Sequence, residues 1–199
     1  MTPLELIGVA LGLACVYLTV RENNWCWPTG IANNLLFIAI FIPARLYADS
    51  GLQVVYIALG LYGWYKWLYG GKGKTALPIS RTRPRTWAIL AAAAGGGTLL
   101  LSELLRRLTD SNVPFWDAVT TVLSLTAQYM LAKKLLENWW VWIAANLLYI
   151  GLYVYKQLYL VAGLQVVFIA LSVMGYFRWR KELNRIEAPA SLRQAQGKL

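Results

Sequence analysis

Short polar connections divide this sequence into long apolar runs, and that pattern limits the chain to few folds. Each run approaches the ~20 residues with which an α-helix crosses a hydrocarbon layer of ~30 Å. Helices are the default spanning element because each satisfies its own backbone hydrogen bonds, and the period-two alternation of a β-barrel is not seen. We predict an all-α integral membrane protein with seven transmembrane helices, at about Pro3–Val20, Trp27–Leu46, Leu52–Tyr69, Trp87–Leu105, Phe115–Ala132, Trp139–Tyr155 and Leu160–Tyr176.

The positions of the basic residues predict the orientation of the chain. The sequence is 58% hydrophobic, yet its formal net charge is +10. The cations lie between the apolar runs and at the C-terminus, as the positive-inside rule describes, rather than in a nucleic-acid-binding pattern. With the N-terminus outside, four of the 19 Lys and Arg residues fall on the outer side and the other fifteen on the inner side. We therefore predict an external N-terminus, a cytoplasmic C-terminus, contact with membrane lipid and no nucleic-acid partner.

The chemistry-bearing residues argue against an enzyme. The sequence contains no histidine and two cysteines, so it lacks the commonest general base and metal ligand. Cys15 and Cys26 are expected to be free thiols. Glu5 near the start of the first run, with no basic leader before it, argues against a signal peptide. We expect no catalytic residues, no metal and no cofactor.

The chain also contains an internal repeat with an offset of 112 residues. The segment GLQVVYIAL at 51–59 returns as GLQVVFIAL at 163–171. The stretches ENNWCW and ENWWVW also correspond, with a slip in the loop. Two unrelated apolar helices would share leucines rather than amides, glycines and tryptophans in register. Matching residues include Asn34 with Asn146, Gly63 with Gly175, and Trp67 with Trp179.

The repeat predicts a 3+1+3 arrangement, in which an extra helix gives the two three-helix copies the same orientation. We divide the chain into a first repeat at 1–70, a basic cytoplasmic loop with linker helix 4 at 71–114, a second repeat at 115–180, and a polar cytoplasmic tail at 181–199. The stretch AAAAGGG at 91–97 favours close helix packing, with a hinge as the alternative. Gln53 and Gln165 are expected to face one another across the pseudo-axis.

Polar and aromatic side chains recur at helical spacing within the predicted spans, where each needs a partner or a ligand. Amide and hydroxyl groups suit a hydroxylated ligand, and aromatic faces suit a flat cationic heterocycle. The polar stripe of helix 5 is Asp117, Thr121, Ser124 and Gln128, and its counterpart on helix 1 is Glu5, Val9, Gly12 and Val16. Because this counterpart is nearly apolar, the pocket is expected to lean toward helices 5–7. The predicted substrate-binding residues are Asn34, Gln53, Tyr56, Trp64, Asp117, Thr121, Ser124, Gln128, Trp142, Asn146, Tyr149, Tyr153 and Gln165.

Purely structural interpretations of these residues stay open. Asn and Gln can hold helices together, at ~0.6 kcal/mol each, and Asp117 near a span end could cap or gate. An intramembrane enzyme would need a nucleophile–base pair, which the sequence lacks, whereas a non-transporting scaffold or sensor remains a candidate. Tryptophans at span ends often form interfacial belts, which is the interpretation favoured for Trp25, Trp27, Trp87, Trp116, Trp139 and Trp140.

The motifs WPTGIANNLL, RLYADSGLQVVY, GLYGWYKW and ENWWVW together resemble the PnuC family of bacterial vitamin transporters. The resemblance covers about Glu22–Lys66 and Asn138–Trp179. It implies a SWEET-like 3+1+3 fold, a homotrimer in the bacterial inner membrane, and uptake of nicotinamide riboside by facilitated diffusion with trapping by a cytoplasmic kinase. Relatives that import thiamine or riboflavin keep those vitamins as alternatives, and Glu5 and Asp117 leave proton coupling open.

Overall fold

The structure, a computed structural model, describes residues 3–43 and 47–188. Within these residues the regular structure consists of seven α-helices and one short 3₁₀ turn, Lys72–Lys74. The predicted all-α architecture with seven helices is confirmed. The helices are α1 Pro3–Val20, α2 Cys26–Phe41, α3 Tyr47–Tyr69, α4 Pro84–Leu108, α5 Pro114–Ala132, α6 Asn138–Tyr155 and α7 Tyr159–Glu187.

Three helix ends differ most from the sequence prediction. α3 begins at Tyr47 rather than at Leu52. α2 ends at Phe41, shortly before Pro43, which lacks the amide N–H that would continue the helix. The remaining residues of that predicted span, 44–46, lie outside the described residues. α7 continues to Glu187, because Trp179 and Leu183 on its last turns are buried in the protein core. The first part of the predicted tail is therefore helical, and residues 189–199 lie outside the described residues.

Six of the helices form a closed ring. Around it, α1 packs against α2, α2 against α3, α3 against α5, α5 against α6, α6 against α7, and α7 returns to α1. α4 lies outside the ring and packs against α5. The ring leaves a space at its centre that all six helices border.

The small-residue stretch of α4 lies at the surface of the single chain. Gly97 faces α5, where an added Cβ would lie 3.7 Å from the Val122 methyl groups. Gly95 and Gly96 face open space. Close packing through this stretch is thus limited to Gly97 within one chain, because only one side of α4 meets the rest of the protein.

Three of the described helices, α1, α4 and α7, are individually long and apolar enough to cross a membrane. α2 is also apolar but has only 16 residues. α3, α5 and α6 carry more amide and hydroxyl side chains, and several of these border the central space. Polar groups in apolar helices are expected to face inward in this way, away from lipid.

Four buried tryptophans close one end of the ring, which we call the tryptophan end: Trp27, Trp67, Trp139 and Trp179. Ring centroids lie 5.3 Å apart for Trp27–Trp67 and for Trp139–Trp179, and 5.8 Å apart for Trp67–Trp179. None of the four is more than 3% exposed. The interfacial position expected from the sequence is therefore wrong for Trp27 and Trp139, whereas the other four members of that predicted belt are exposed.

Residues 112 positions apart make matching hydrogen bonds at the tryptophan end. The Nε1–H of Trp67 donates to the carbonyl oxygen of Leu131 at 3.0 Å, and the Nε1–H of Trp179 donates to that of Thr19 at 3.2 Å. Thr19 and Leu131 are themselves 112 positions apart. Each bond joins one of the first three helices to one of the last three. The two halves of the chain, α1–α3 and α5–α7, are therefore held together by a reciprocal pair of hydrogen bonds.

Two glycines let these tryptophans approach the neighbouring helix. A Cβ at Gly63 would overlap the ring of Trp27, and a Cβ at Gly175 would overlap the ring of Trp139. The equivalent of Trp27 is therefore Trp139. The likeness of ENNWCW to ENWWVW, which would match Trp27 with Trp142, is out of register by one helical turn.

The basic segment between α3 and α4 is anchored at the tryptophan end. Ile79 is buried, and Ser80 makes two backbone hydrogen bonds to the α5–α6 connection, at 3.1 and 2.9 Å. Thr82 donates its backbone N–H and its hydroxyl to one carboxylate oxygen of Glu137, at 2.8 and 2.7 Å. The segment therefore covers this end of the ring rather than forming an unattached loop.

Candidate functional site

The space at the centre of the ring is a cavity of about 320 Å³. Its wall runs from Gly12 of α1 to Ser172 of α7 and includes side chains of all six ring helices. Among the described residues that line it there is no Asp, Glu, Lys or Arg. Cavities of roughly 300–1,000 Å³ are the usual size of small-molecule sites, so this one has room for a small molecule.

Nine of the thirteen site residues predicted from the sequence lie in this wall. The stripes on α5, α6 and α7 turn inward together because residues three or four positions apart share one helix face. The nine are Asn34, Gln53, Tyr56, Ser124, Gln128, Trp142, Asn146, Tyr149 and Gln165.

Five side-chain amides in the wall make no hydrogen bond to any described residue. They belong to Asn34, Gln53, Gln128, Asn146 and Gln165. Asn146 is 5% exposed and Gln165 is 8% exposed, so these two are also nearly shielded from outside solvent. The polar atoms of all five line the cavity and are not fully buried, so they can bind a molecule that supplies both donors and acceptors.

Hydroxyl groups in the wall are more fully used within the protein. Thr19 donates to the Cys15 carbonyl at 2.9 Å and Ser172 to the Phe168 carbonyl at 2.8 Å. The Ser124 hydroxyl donates to the Tyr149 hydroxyl at 3.3 Å. The amides are therefore the main groups left for ligand recognition.

Asp117, a predicted site residue, lies elsewhere. It borders a separate polar cleft at the end of the ring opposite the tryptophans. Its carboxylate pairs with the Lys156 Nζ at 2.8 Å and accepts a hydrogen bond from the Ser111 hydroxyl at 2.6 Å. These contacts tie the α4–α5 and α6–α7 connections together, which agrees with the alternative of a role at the span end.

Three further predicted residues do not line the cavity. Tyr153 stacks on Tyr149, with ring centroids 5.5 Å apart and planes at 10°, and so lies one turn beyond the wall. Trp64 packs against the core of the tryptophan end. Thr121 is half-buried on α5 but is not part of the wall.

Other wall residues were not predicted as site residues. Asn33 lines the cavity, and its buried Oδ1 has no hydrogen-bond partner in the described part of the chain. Its position beside Asn34 was the available signal. Cys15 and Cys26 also line the cavity, and the Cys15 thiol donates to the Cys26 carbonyl at 3.2 Å. The sequence offered no comparable signal for these two cysteines, because small, weakly polar side chains do not stand out within an apolar helix.

The expectation that the cavity leans toward helices 5–7 is wrong. α1, α2 and α3 supply at least as much of the wall as α5, α6 and α7. The wall residues of α1 include Gly12 and Val16, members of the nearly apolar stripe. An apolar stripe can border a cavity because it supplies shape rather than hydrogen bonds.

A cavity lined by apolar, aromatic and amide side chains at the centre of a ring of apolar helices is the architecture of a multi-pass membrane transporter. Comparison with known proteins agrees. Residues 2–181 match the family described as Nicotinamide mononucleotide transporter. The chain therefore belongs to this family of membrane transporters, the PnuC family, and is not an enzyme.

Three relatives illustrate this membership. The nicotinamide riboside transporter PnuC of Escherichia coli (strain K12) is 26% identical over 203 residues, covering 88% of this chain and 84% of that protein. The riboflavin/roseoflavin transporter RibM of Streptomyces davaonensis is 30% identical over 190 residues, covering 93% and 88%. The crystal structure of the vitamin B3 transporter PnuC matches with a TM-score of 0.73 at 25% identity, covering 92% of this chain and 82% of that one.

Proposed function

We propose that this protein imports nicotinamide riboside across the bacterial inner membrane. The observation that carries the proposal is the set of five unpartnered amides in the cavity wall. Nicotinamide riboside offers a carboxamide and ribose hydroxyls to such groups, and its pyridinium ring suits the aromatic faces of Tyr56, Trp142 and Tyr149. Relatives named as nicotinamide riboside transporters support this assignment.

The absence of charge in the wall limits the substrate further. A phosphate group moved into this cavity would lose its hydration without gaining a Lys or Arg partner, and burying an unpaired charge is expensive. The proposed substrate is therefore the nucleoside rather than its phosphorylated form. Trapping by a cytoplasmic kinase, which the family resemblance implies, would then keep the product inside the cell.

We propose that α1–α3 and α5–α7 are parallel copies joined by α4, in the 3+1+3 arrangement of SWEET-like proteins. The reciprocal hydrogen bonds of Trp67 and Trp179 support this. Two parallel copies put the N-terminus and the tryptophan end on opposite sides of the membrane. The excess of basic residues around the tryptophan end supports a cytoplasmic position for that end. The homotrimer stays an expectation from the resemblance.

The proposed mechanism is facilitated diffusion. The two halves would rock against each other and open the cavity to one side at a time. No carboxylate of the described residues lines the cavity, and Asp117 is paired with Lys156. The described part of the substrate site therefore offers no group for proton or sodium coupling. The flux would follow the substrate gradient.

A second candidate substrate is riboflavin, which the likeness to RibM favours. Riboflavin is a neutral flat heterocycle with a hydroxylated chain, and amides and aromatic rings suit it as well. Thiamine, a cationic heterocycle, is a third. The cavity chemistry does not separate these molecules, because all three combine a flat ring with hydrogen-bonding groups.

A binding and uptake experiment tests the proposal. The purified protein is titrated calorimetrically with nicotinamide riboside, thiamine and riboflavin, and the ligand that binds is then followed into proteoliposomes. We expect nicotinamide riboside to bind and to equilibrate, with or without a proton gradient. Selective binding of another vitamin would reassign the substrate, and gradient-driven accumulation above the outside concentration would exclude facilitated diffusion.

A non-transporting scaffold would give a different pattern. In that case Asn146→Ala and Gln165→Ala would lower the melting temperature, and none of the vitamins would bind the unmodified protein. Loss of binding in both variants at an unchanged melting temperature would support the transporter.

A further inference from the structure

An ion pair joins the two halves of the chain beside the four tryptophans. The Lys134 Nζ lies 3.2 Å from the Glu22 Oε2, and the two side chains are 9% and 23% exposed. The residues are 112 positions apart, so they occupy equivalent places in the two halves. Solvent ions screen such a pair weakly, and removing one partner leaves the other charge in a poorly hydrated site.

The backbone at both residues supports a role for their side chains. Each follows a helix end and is left-handed, with φ of 55° at Glu22 and 49° at Lys134. Their backbone N–H groups donate to the Thr19 and Leu131 carbonyls, at 3.0 and 2.9 Å. Glycine is the residue preferred at such helix caps. Charged residues of opposite sign at both caps therefore suggest that their side chains are used.

The ion pair also contacts the tryptophan end. The Lys134 Nζ lies 4.5 Å from the centroid of the Trp67 ring, close enough for a cation–π interaction. Trp67 is fully buried and is itself bonded across the halves to Leu131. Separating Lys134 from Glu22 would therefore loosen the layer that covers the cavity.

We propose that Glu22 and Lys134 are the gate residues of the tryptophan end. Their ion pair holds this end closed, and it breaks whenever the cavity opens toward the cytoplasm. The inference rests on the proposed function, because a gate matters only where a substrate passes. When the two halves rock, the contact between Glu22 and Lys134 forms in the closed state and breaks in the open one.

Two indole N–H groups at the tryptophan end destabilise the closed state and so keep the gate reversible. The indole N–H groups of Trp27 and Trp139 are buried without a hydrogen-bond partner within the described part of the chain. An unsatisfied buried donor destabilises the state that contains it. Opening gives both indoles access to water, which offsets part of the loss of the ion pair.

The native thiols provide a direct test, because Cys15 lines the cavity one helical turn before Thr19. In a Cys26→Ser background, Cys15 is the sole cysteine. A membrane-impermeant maleimide is added to the cytoplasmic side of inside-out vesicles, and the alkylation rate is measured. We expect Glu22→Gln and Lys134→Gln each to raise the rate by about tenfold or more, since a small change in relative stability shifts a two-state population strongly.

Charge reversal and a neighbouring cation provide the controls. The exchange Glu22→Lys with Lys134→Glu should slow alkylation below either single variant, because it restores an ion pair. Arg21→Gln removes an adjacent cation that lies over Tyr17 of its own helix, and it should leave the rate unchanged. Elution of each variant from a sizing column as one peak at the unmodified position establishes that it is folded.

The alternatives are distinguishable. Unchanged alkylation in folded Glu22→Gln and Lys134→Gln, or an exchange variant that reacts as fast as the single variants, would overturn the gate. The readout needs no vitamin. Failure of nicotinamide riboside to enter proteoliposomes, with the alkylation pattern as expected, would count against the proposed substrate alone.

Discussion

Trp67 and Trp179, 112 residues apart, lie with their ring centroids 5.8 Å apart, and each donates its indole N–H to the opposite half of the chain. The two bonds are equivalent in position and nearly equal in length. The tryptophan end is therefore stabilised by a reciprocal contact, in which neither half is closed without the other.

The reciprocal contact predicts that Trp67→Phe and Trp179→Phe are similarly destabilising. Phenylalanine keeps the aromatic packing but removes the hydrogen bond between the halves, at about 0.5–1.5 kcal/mol. Thermal unfolding of the purified protein in detergent measures the effect. Trp140→Phe, at a 52% exposed residue, is the matched control and should shift the melting temperature little. A marked difference between the first two variants would contradict reciprocity.

The glycines beneath the tryptophan rings should not tolerate a methyl group. Gly63→Ala and Gly175→Ala each force a Cβ into an indole ring, and overpacking of this kind costs about 1–3 kcal/mol. Gly51→Ala and Gly163→Ala, which occupy equivalent helical positions with open space, should be neutral or stabilising. Melting temperatures of the four variants decide the matter, and destabilisation of all four alike would refute the packing explanation.

Side chains inside and outside the cavity wall should differ in their effect on binding. Asn146→Leu removes an unpartnered amide from the wall and should weaken vitamin binding about tenfold, the value of one buried hydrogen bond. Thr121→Val alters a polar residue of α5 that does not line the cavity, so binding should be unchanged. Calorimetric titration compares them. Equal losses in both variants would place the binding site elsewhere.

Phosphorylation of the substrate should abolish binding. The wall, as far as the described residues form it, offers no cation to a phosphate, and an unpaired buried charge is expensive. Nicotinamide mononucleotide should therefore fail to compete with labelled nicotinamide riboside, whereas the unlabelled riboside competes fully. Effective competition by the mononucleotide would show that the cavity opens to a charged surface.

Glu137 should protect the segment between α3 and α4 from proteolysis. Its carboxylate accepts two hydrogen bonds from Thr82, and without them the segment loses its anchor. Glu137→Ala should speed cleavage by trypsin after Arg81 in inside-out vesicles. Glu182→Ala, at a carboxylate paired with Arg185 at 3.8 Å, should leave cleavage unchanged. Equal protection in both variants would mean that Ile79 and Ser80 hold the segment by themselves.

The helical architecture was readable from the sequence because hydrophobic length and register are local properties. Four of the seven helices, α1, α4, α5 and α6, match the predicted apolar runs to within three residues at both ends. The offset of 112 matched Gly63 with Gly175 and Trp67 with Trp179, which make corresponding contacts. The extension of α7 was missed because polar residues surround Leu183, whose burial depends on the core of the tryptophan end.

The candidate site was readable in part, for a related reason. Stripes of amides and aromatic residues predicted which faces of α2, α3, α5, α6 and α7 turn inward. The burial of Trp27 could not be predicted, because it depends on the missing Cβ of Gly63 across an interhelical contact. The partner of Asp117 is likewise supplied by a distant connection, through Lys156.

The opposite charges of Glu22 and Lys134 make the two three-helix units different from each other at this contact. Two unmodified copies of one three-helix unit would present either two carboxylates or two ammonium groups at this place, and they would repel. The difference between Glu22 and Lys134 places a carboxylate against an ammonium group instead. In the proposed arrangement each three-helix unit therefore needs the other one as its partner. A dimer of two identical units, either α1–α3 or α5–α7, would lack this ion pair.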